Sequence, residues 1–531
     1  MRSIILSITF TLFVSGLTIA QTEKDFQAQK AKIDRLYNLL QKNYTDDINI
    51  RKVTEAAIIA SLKELDPHSY YLTASEVQQS NENLQGGFDG VGISYIMDED
   101  TLIVTSLVRN GPAEKEGVLP GDKLIFIGDS LVCGDSKKTA LISKMLRGKK
   151  NTMVQVKFLR KDEGILTFNI KRDKIPVYTV PSYYMIDDKI GYIKVTRFGA
   201  ETAKDLNQAI KKLKKNGMQQ LILDLQDNPG GYLNTAVNIV DEFLPKDKLI
   251  TFIEGKNSPR KDYIASSKGE FEEGNLVVLV NENSASASEI VSGAVQDHDR
   301  GVIIGRRTYG KGLVQNTYMF SDSSAIRLTT ARYFTPSGRC IQKPYEDGVD
   351  SYFEKLKKRL DSGELTTADS IKLNSEYAYK TSNSRTVYGS GGVMPDIFVP
   401  RDSLYKDSLI NLINQKNILY RFAVQYTNKG RKEILKQFEN SFEKYFKEFD
   451  LNESQIQDLE DFAKKYKVEF SYNDLNISEK QYIYTLIKSN IARLIWDNSE
   501  FYQCLNENDP MIKSAIEVLK TDKIASILEK N

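Results

Sequence analysis

The stretch LILDLQDNPGGYLNTAVNIVDEFL, residues 221–244, joins an apolar run to a helix-patterned segment through an Asn-Pro-Gly-Gly turn. A continuous apolar run is typical of a strand that is buried on both faces. The same order of strand, turn and helix recurs in NLVVLVNENSASASEIVSGAVQD, residues 275–297. Strands that alternate with helices over residues 177–345 predict an α/β layer, with chemistry expected at the turns that follow the strands.

The 531 residues are enough for about two to four domains. Helical periodicity marks residues 21–85, and short β-rich runs fill residues 86–176. The α/β segment extends over residues 177–402 and contains a charged helical insertion at about 346–385. Residues 403–531 are helical and mixed in charge, and the sequence leaves open whether they form a packed domain or an interaction arm.

The charge balance and the first residues bear on partners and location. The chain has 73 basic and 71 acidic residues, so it lacks the basic excess of a nucleic-acid-binding protein.

Residues 1–20 place one arginine before an apolar run and end on small residues, a pattern typical of a secretory signal peptide cleaved near Ala20. The sequence therefore predicts an exported, periplasmic (cell-envelope) protein. An uncleaved N-terminal anchor is the alternative, and membrane association is expected only in that case.

The two glycine- and serine-rich turns have ordinary explanations as well as catalytic ones. The Gly230-Gly231 turn can simply pack a strand on a helix, although glycine also lets a reacting carbonyl approach its backbone N–H groups. Ser284 or Ser286 can cap the following helix, with Glu289 as the acid of a capping box. Taken alone, neither turn indicates an enzyme.

The scarcity of histidine restricts the choice of a general base. His298 lies twelve residues along the helix from Ser286, which places it roughly 18 Å away. His68, in the turn LDPHSYY, has no visible orienting carboxylate and is interpreted as a structural hydrogen-bonding residue. Lys311, between two glycines in TYGKGLVQ, can act as a base if burial lowers its pKa, with Gln315 orienting the amine. A lysine between glycines is otherwise an ordinary turn.

Several motifs in a fixed order resemble the carboxy-terminal processing (tail-specific) serine proteases. They are LDPHSYYL, LILDLQDNPGG, SASASEI, DHDRGVIIG, TYGKGLVQ, ARYFTPSGRCIQ and GGVMPDIFVP, and the resemblance covers about residues 30–402. The resemblance implies a crotonase-like α/β protease core with an inserted PDZ domain and no metal or organic cofactor. It also implies that Ser286 is the nucleophile, Lys311 the general base and Gln315 the residue that positions the lysine.

The resemblance further implies an oxyanion hole made by the backbone N–H of Ala287 and one from Gly230 or Gly231. The chain departs from the family pattern at Gln226, where arginine is usual, and at Cys340, where a small polar residue is usual. Neither position belongs to the inferred Ser-Lys pair. The three cysteines are at no metal-ligand spacing and are expected to be structural or incidental.

Residues 86–176 resemble a PDZ domain through GGFDGVGI followed by GPAEKEGVLPGD. The resemblance implies that Gly90, Val91, Gly92 and Ile93 bind a peptide C-terminus through successive backbone N–H groups. An ordinary glycine-rich turn is the alternative for this loop.

The predicted function is an exported serine endopeptidase whose PDZ domain recognises the C-terminal tails of protein substrates. A catalytically inactive PDZ-based scaffold or chaperone is the competing class, and an acyl-CoA enzyme on the related core is a weaker one. The sequence leaves the oligomeric state open.

Overall fold

The fold is described from a computed structural model, which covers residues 2–98, 100–134, 139–160, 163–266, 268–402, 404, 407–521 and 523–529. The side chains of residues 2–22, 83, 139 and 140 lie outside the description, and with them those of the predicted signal peptide. The chain divides into two compact units, Met1–Leu65 and Asp66–Asn531. In the part of the chain that the structure describes, no helix is both long enough and apolar enough to cross a bilayer.

The first unit consists of helices α1 (Arg2–Asn43) and α2 (Ile50–Lys63). The second unit begins with strand β1 (Tyr70–Leu72) and helix α3 (Ala74–Leu84). Thr73 and Glu76 form a capping box that starts α3.

The region predicted to be a PDZ domain forms a small antiparallel sheet with two helices. Its elements are β2 (Gly87–Gly90), β3 (Ile93–Asp98), β4 (Thr101–Leu107), α4 (Pro112–Lys115), β5 (Lys123–Ile127), β6 (Ser130–Leu131), α5 (Thr139–Leu146), β7 (Met153–Arg160), β8 (Gly164–Lys171) and β9 (Asp173–Pro176). The sheet has the order β3-β4-β5-β7-β8, with β6 on β5, and β2 pairs with β9. Strand β3 therefore lies at an edge of the sheet, directly after the glycine-rich loop.

The next segment is built on a mostly parallel sheet, as the alternation of strands and helices predicted. Its elements are β10 (Ser182–Met185), β11 (Ile190–Lys194), α6 (Thr202–Lys215), β12 (Gln220–Asp224), α7 (Leu233–Asp241), β13 (Leu249–Gly255), β14 (Ser258–Ile264), β15 (Asn275–Val280), α8 (Ala287–Asp297), β16 (Val302–Gly305), β17 (Leu313–Met319) and β18 (Ala325–Phe334). Strands β12, β15 and β16 are parallel neighbours. The carboxyl ends of these three strands therefore meet at one edge of the sheet.

A second, antiparallel sheet was not expected from the sequence. It has the order β1-β18-β13-β14, with β17 paired to β18. Where a helix would continue the alternation after β16, the chain instead forms the β17–β18 hairpin. The predicted charged insertion contains α9 (Val349–Asp361), followed by β19 (Ala378–Lys380), β20 (Thr386–Tyr388) and β21 (Ile397–Phe398), and β21 extends the parallel sheet beside β16.

The C-terminal residues form a packed helical region rather than an extended arm. The helices are α10 (Ser408–Gln415), α11 (Ile418–Gln437), α12 (Phe442–Glu448), α13 (Glu453–Lys465), α14 (Ile477–Ile495), α15 (Asn498–Asn506), α16 (Pro510–Lys520) and α17 (Lys523–Leu528). Short 3₁₀ turns occur at Ala368–Ser370, Ser375–Tyr377 and Tyr472–Asp474. Helices α10 to α15 have their own apolar core.

Helices α16 and α17 complete the core of the parallel sheet. Leu276 and Val278 of β15 point into the cluster formed with α6, α7 and α8. Val277 and Leu279 point the other way, into a cluster that includes Met511 and other residues of α16 and α17. Both faces of the sheet are covered, which explains why the sequences of its strands are continuous apolar runs.

Candidate active site

The Asn-Pro-Gly-Gly turn after β12 packs directly against the serine turn after β15. The carbonyl of Asn228 accepts hydrogen bonds from the Ala285 N–H (3.0 Å) and from Ser288 Oγ (2.8 Å). A Cβ atom placed on Gly230 would lie 2.9 Å from Ser286 Cβ and 3.0 Å from the Ala287 nitrogen. Only glycine allows this approach, so the two turns of the sequence form one site.

The three serines occupy different environments. Ser284 is buried, and its Oγ donates to the Leu225 carbonyl (2.7 Å) and accepts from the Asn281 N–H (2.9 Å). Ser288 is also buried, and its hydroxyl is bonded to Asn228. Ser286 is half-buried at the start of α8. Two of the serines therefore tie the turns together, and Ser286 is the most accessible.

Ser286 has a strained backbone, with φ 56° and ψ −111°. A positive φ is unusual for a residue with a side chain, and such strain is common where a side chain must be held in a functional position. A serine on a sharp turn between a strand and a helix is also the arrangement of the nucleophile in α/β-hydrolases.

A single carboxylate connects the serine turn to the lysine turn. Glu289 Oε2 accepts hydrogen bonds from the backbone N–H of Ser286 (2.7 Å) and of Lys311 (2.9 Å). Its Oε1 accepts from the Gly310 N–H (2.7 Å) and the Thr308 hydroxyl (2.5 Å). Burial raises the pKa of Glu289 to about 7, although these four donors favour the carboxylate. The sequence pattern indicates only a helix-capping role for Glu289. The structure shows that its carboxylate also binds the lysine turn.

The hydroxyl of Tyr333, on β18, makes a second connection between the same two residues. It lies 3.1 Å from the Ser286 carbonyl and 2.8 Å from the Lys311 carbonyl, and its single proton is shared between these two acceptors. The sequence motif ARYFTPSGR contains this tyrosine but gives no indication that it reaches the serine turn.

The amine of Lys311 is in an environment that favours its neutral form. Loss of hydration lowers the pKa of Lys311, and the positive charge of Arg327 lowers it further. The negative charges of Glu289 and Asp66 act in the opposite direction. In the described part of the chain no hydrogen bond joins the Lys311 amine to the Ser286 hydroxyl, and such bonds are often long in enzymes without substrate.

Gln315 lies on β17, four residues after Lys311. Its amide Nε2 is 3.4 Å from Thr329 Oγ1, and that hydroxyl donates to Asp66 Oδ1 at 3.0 Å. Asp66 belongs to the LDPHSYY turn, which therefore borders the lysine region. The contact from Gln315 is with Thr329, so the predicted contact with the Lys311 amine stays a prediction.

Neither histidine is positioned as a partner of Ser286. His68 Nε2 lies 2.7 Å from the Tyr352 hydroxyl, and burial together with the charge of Lys311 lowers the pKa of His68 to about 3. His298 ends α8, and its Nε2 lies 2.7 Å from the Leu249 carbonyl. His68 is therefore a hydrogen-bonding residue, and its purely structural role stays a prediction.

The structure distinguishes between the two glycines predicted as alternative oxyanion donors. The Gly230 N–H donates to Asn228 Oδ1 at 2.9 Å and is therefore occupied. Within the described residues, the N–H groups of Gly231 and Ala287 donate to no protein acceptor. Gly231 is exposed, and the oxyanion-donor role of its N–H and that of Ala287 stays a prediction.

The four residues predicted to bind a peptide C-terminus all line one cavity of about 130 Å³. Gly90, Val91, Gly92 and Ile93 form one wall, and Arg147 is on another. The Arg147 guanidinium lies 4.3 Å from the centre of the Phe88 ring and pairs with Glu82. The glycine-rich segment is therefore part of a concave surface and not only a turn.

Comparisons of the sequence with known proteins identify its family. The model of peptidase family S41 matches residues 189–351, and a PDZ-domain model matches residues 90–171. A probable CtpA-like serine protease of Staphylococcus haemolyticus is 34% identical over 350 residues, which are 64% of this chain and 70% of that protein. The carboxy-terminal processing protease CtpA of Bacillus subtilis is 34% identical over 63% of this chain and 72% of that protein.

The chain belongs to peptidase family S41. It is a CtpA-like serine peptidase with a PDZ domain, which confirms the resemblance seen in the sequence. Residues 409–497 of this S41 peptidase match a family of unknown function, DUF8443. Among solved structures, the photosystem II D1 C-terminal processing protease is 29% identical over 57% of this chain and 82% of that chain, with a TM-score of 0.33.

Proposed function

We propose that this S41 peptidase is exported and cleaves protein substrates whose C-terminal tails are bound by its PDZ domain. The cavity beside Gly90–Ile93 supports tail binding, because it adjoins strand β3 at the open edge of the sheet. A peptide can add to such an edge as a further strand while its carboxylate meets the loop. Export is supported by the signal-peptide pattern of residues 1–20.

The proposed chemistry is acyl transfer through Ser286 and Lys311. Neutral Lys311 accepts the Ser286 proton as Oγ attacks the scissile carbonyl, and the resulting ammonium then protonates the leaving amine. Lys311 next accepts a proton from the water that hydrolyses the acyl-enzyme. The N–H groups of Ala287 and Gly231 stabilise the oxyanion in both steps. The reaction is carried out on a core with the crotonase-like architecture that the resemblance implies.

The strongest support for this proposal is the pair of side chains that bind both Ser286 and Lys311. Glu289 and Tyr333 each bind both Ser286 and Lys311, although the two residues are on different turns. A network that fixes a serine and a lysine with lowered pKa beside each other has the organisation required of a nucleophile and its base.

Tail recognition predicts that an unstructured peptide with a free C-terminal carboxylate is cleaved with a kcat/KM at least about tenfold higher than its C-terminal amide, since a lost charged hydrogen bond costs roughly 1.5–3 kcal/mol. Steady-state kinetics on the two peptides measures the difference, with Ser286→Ala as the inactive reference. Equal kcat/KM values would refute recognition of the carboxylate without affecting the assignment of the site.

Lysine catalysis predicts a pH dependence that responds to Arg327. A lysine base acts only when neutral, so activity falls as the pH drops through the pKa of Lys311. Removing the positive charge in Arg327→Gln stabilises the protonated amine and raises the pKa of Lys311, so the acid limb of the kcat/KM profile moves to higher pH. Arg332→Gln is the matched control, because Arg332 is exposed on the same strand and is not among the charges that shift Lys311. An acid limb that stays in place in Arg327→Gln would contradict the assignment of the base.

A further inference from the structure

Asp66, in the turn LDPHSYY, is a buried carboxylate to which the proposed chemistry gives no role. Its Oδ1 accepts hydrogen bonds from the backbone N–H of His68 (2.8 Å), that of Ser69 (2.9 Å) and the Thr329 hydroxyl (3.0 Å). Its Oδ2 accepts from the Ser69 hydroxyl at 2.5 Å. These four donors favour the ionised carboxylate, and none of them is charged. The negative charge of Asp66 is therefore not cancelled by its direct partners and acts on groups nearby.

The hydroxyl of Thr329 connects Asp66 to Gln315. Thr329 on β18 and Gln315 on β17 are directly opposite each other, and Gln315 Nε2 lies 3.4 Å from Thr329 Oγ1. An ionised carboxylate can only accept a hydrogen bond, so the single proton of the Thr329 hydroxyl goes to Asp66. Thr329 Oγ1 can then only accept, and it accepts from the amide NH₂ group of Gln315. Asp66 therefore fixes the direction of both hydrogen bonds.

This direction determines which end of the Gln315 amide is left for another partner. Because the NH₂ group binds Thr329, the carbonyl oxygen of Gln315 remains, and no donor among the described residues binds it. Lys311, four residues earlier, has an amine that can donate to such an oxygen. A neutral amine that gives one N–H to Gln315 still has its lone pair for the proton of Ser286.

The amine of Lys311 also responds to the charge of Asp66. Loss of hydration and the charge of Arg327 lower the pKa of Lys311, and the charges of Glu289 and Asp66 raise it. Burial, together with the charge of Lys311, lowers the pKa of His68 to about 3, so this neighbouring ring is uncharged near neutral pH. Asp66 and Arg327 therefore act on the amine with opposite sign.

We propose that Asp66 is a positioning residue for the lysine base. It keeps the Thr329 hydroxyl as an acceptor for the Gln315 NH₂ group, so that the carbonyl oxygen of Gln315 faces the Lys311 amine. Its charge also stabilises the ammonium that forms when Lys311 takes the Ser286 proton. This role rests on the proposed function, and Asp66 itself touches neither the substrate nor the reacting atoms.

The first test removes the hydroxyl that Asp66 orients. Thr329→Val keeps a β-branched side chain without the hydroxyl, so kcat for an unstructured peptide is expected to fall at least about tenfold with little change in KM. Thr329→Ser keeps the hydroxyl and is expected to restore most of the activity. Thr330→Val is the matched control, because Thr330 is the next residue of β18 and its side chain points to the opposite face.

The second test removes the charge and keeps the hydrogen bond. Asp66→Asn retains an oxygen that can accept from Thr329. Without the negative charge the protonated amine is less stable, so the pKa of Lys311 falls and the acid limb of the kcat/KM profile moves to lower pH. This movement is opposite to that expected for Arg327→Gln. Glu254→Gln, at an exposed residue of the same antiparallel sheet, should leave the limb in place, since Glu254 is not among the charges that shift Lys311.

Thermal unfolding establishes that each variant is folded, and the Thr329 variants decide the question if Asp66→Asn is too unstable to assay. Unchanged kcat in Thr329→Val, no recovery in Thr329→Ser, or an acid limb of Asp66→Asn that stays in place or moves to higher pH would overturn the proposal. Lys311→Met separates this failure from failure of the proposed base. An inactive Lys311→Met protein beside a fully active Thr329→Val protein would refute only the role of Asp66, whereas turnover in Lys311→Met would refute the base as well.

Discussion

Replacing Ser286 with alanine is expected to reduce kcat for peptide cleavage by about 10⁴-fold or more, the range seen when a serine nucleophile is removed. The substitution deletes the attacking oxygen and leaves the Glu289 and Tyr333 contacts, which are to the backbone of residue 286. Steady-state cleavage of an unstructured peptide measures the loss, and a denaturant unfolding curve close to that of the unaltered protein establishes that the fold is kept.

Ser288→Ala is the matched control for this experiment. Ser288 belongs to the same sequence alternation, but its hydroxyl is buried and donates to Asn228. Its removal is expected to cost about 0.5–1.5 kcal/mol of stability and little activity, because the Asn228 carbonyl still accepts from the Ala285 N–H. Retained turnover in Ser286→Ala, or an equal loss in Ser288→Ala, would show that the nucleophile has been assigned wrongly.

Glu289→Gln is expected to lower kcat by about 10²-fold, the scale of a small misplacement of catalytic groups. Each carboxylate oxygen of Glu289 accepts two hydrogen bonds. In glutamine one of those oxygens becomes an amino group, which faces two donors and leaves them unsatisfied. We expect the free energy of unfolding to fall by about 1–3 kcal/mol for the same reason.

Glu289→Gln should change the position of Ser286 relative to Lys311. We therefore expect this variant to have a lower kcat with little change in KM. Glu273→Gln, at an exposed residue just before β15, is the control for loss of one negative charge. Wild-type kcat in a folded Glu289→Gln protein would mean that the carboxylate has only a structural role.

The sequence alone predicts much of the sheet that carries this site. Apolar runs such as residues 276–280 indicate strands buried on both faces, and helices of the predicted length separate them. Because the strands are parallel neighbours, the turns at Asn228 and Ser286 must lie at one edge. The juxtaposition of the glycine turn and the serine turn therefore follows from local patterns and one topological rule.

Other parts of the site depend on contacts that no local pattern contains. Glu289 has the spacing of an ordinary capping-box acid, so the sequence cannot show that its carboxylate also binds the lysine turn. Tyr333 reaches the Ser286 carbonyl from β18, a strand of the β17–β18 hairpin that the sequence did not predict. The choice between Gly230 and Gly231 depends on the side chain of Asn228. Its Oδ1 accepts the Gly230 N–H and leaves the Gly231 N–H without an acceptor among the described residues.

The C-terminal helices show a similar limit. Their amphipathic patterns predict helices that bury one face, but the partner of that face is not encoded locally. The structure shows that Met511 and Leu519 cover one side of the parallel sheet, whereas α10 to α15 pack mainly on each other. The last helices are therefore part of the protease core, which composition alone does not indicate.

The most direct test of a Ser286 nucleophile activated by neutral Lys311 is the rate of covalent labelling by a fluorophosphonate as a function of pH, with the labelled residue identified by peptide mass spectrometry. We predict a single adduct on Ser286, formed more slowly as the pH falls through the pKa of Lys311 and at least about 10²-fold more slowly in Lys311→Met. An adduct on Ser284 or Ser288, or labelling of Ser286 at the same rate with and without Lys311, would contradict the account.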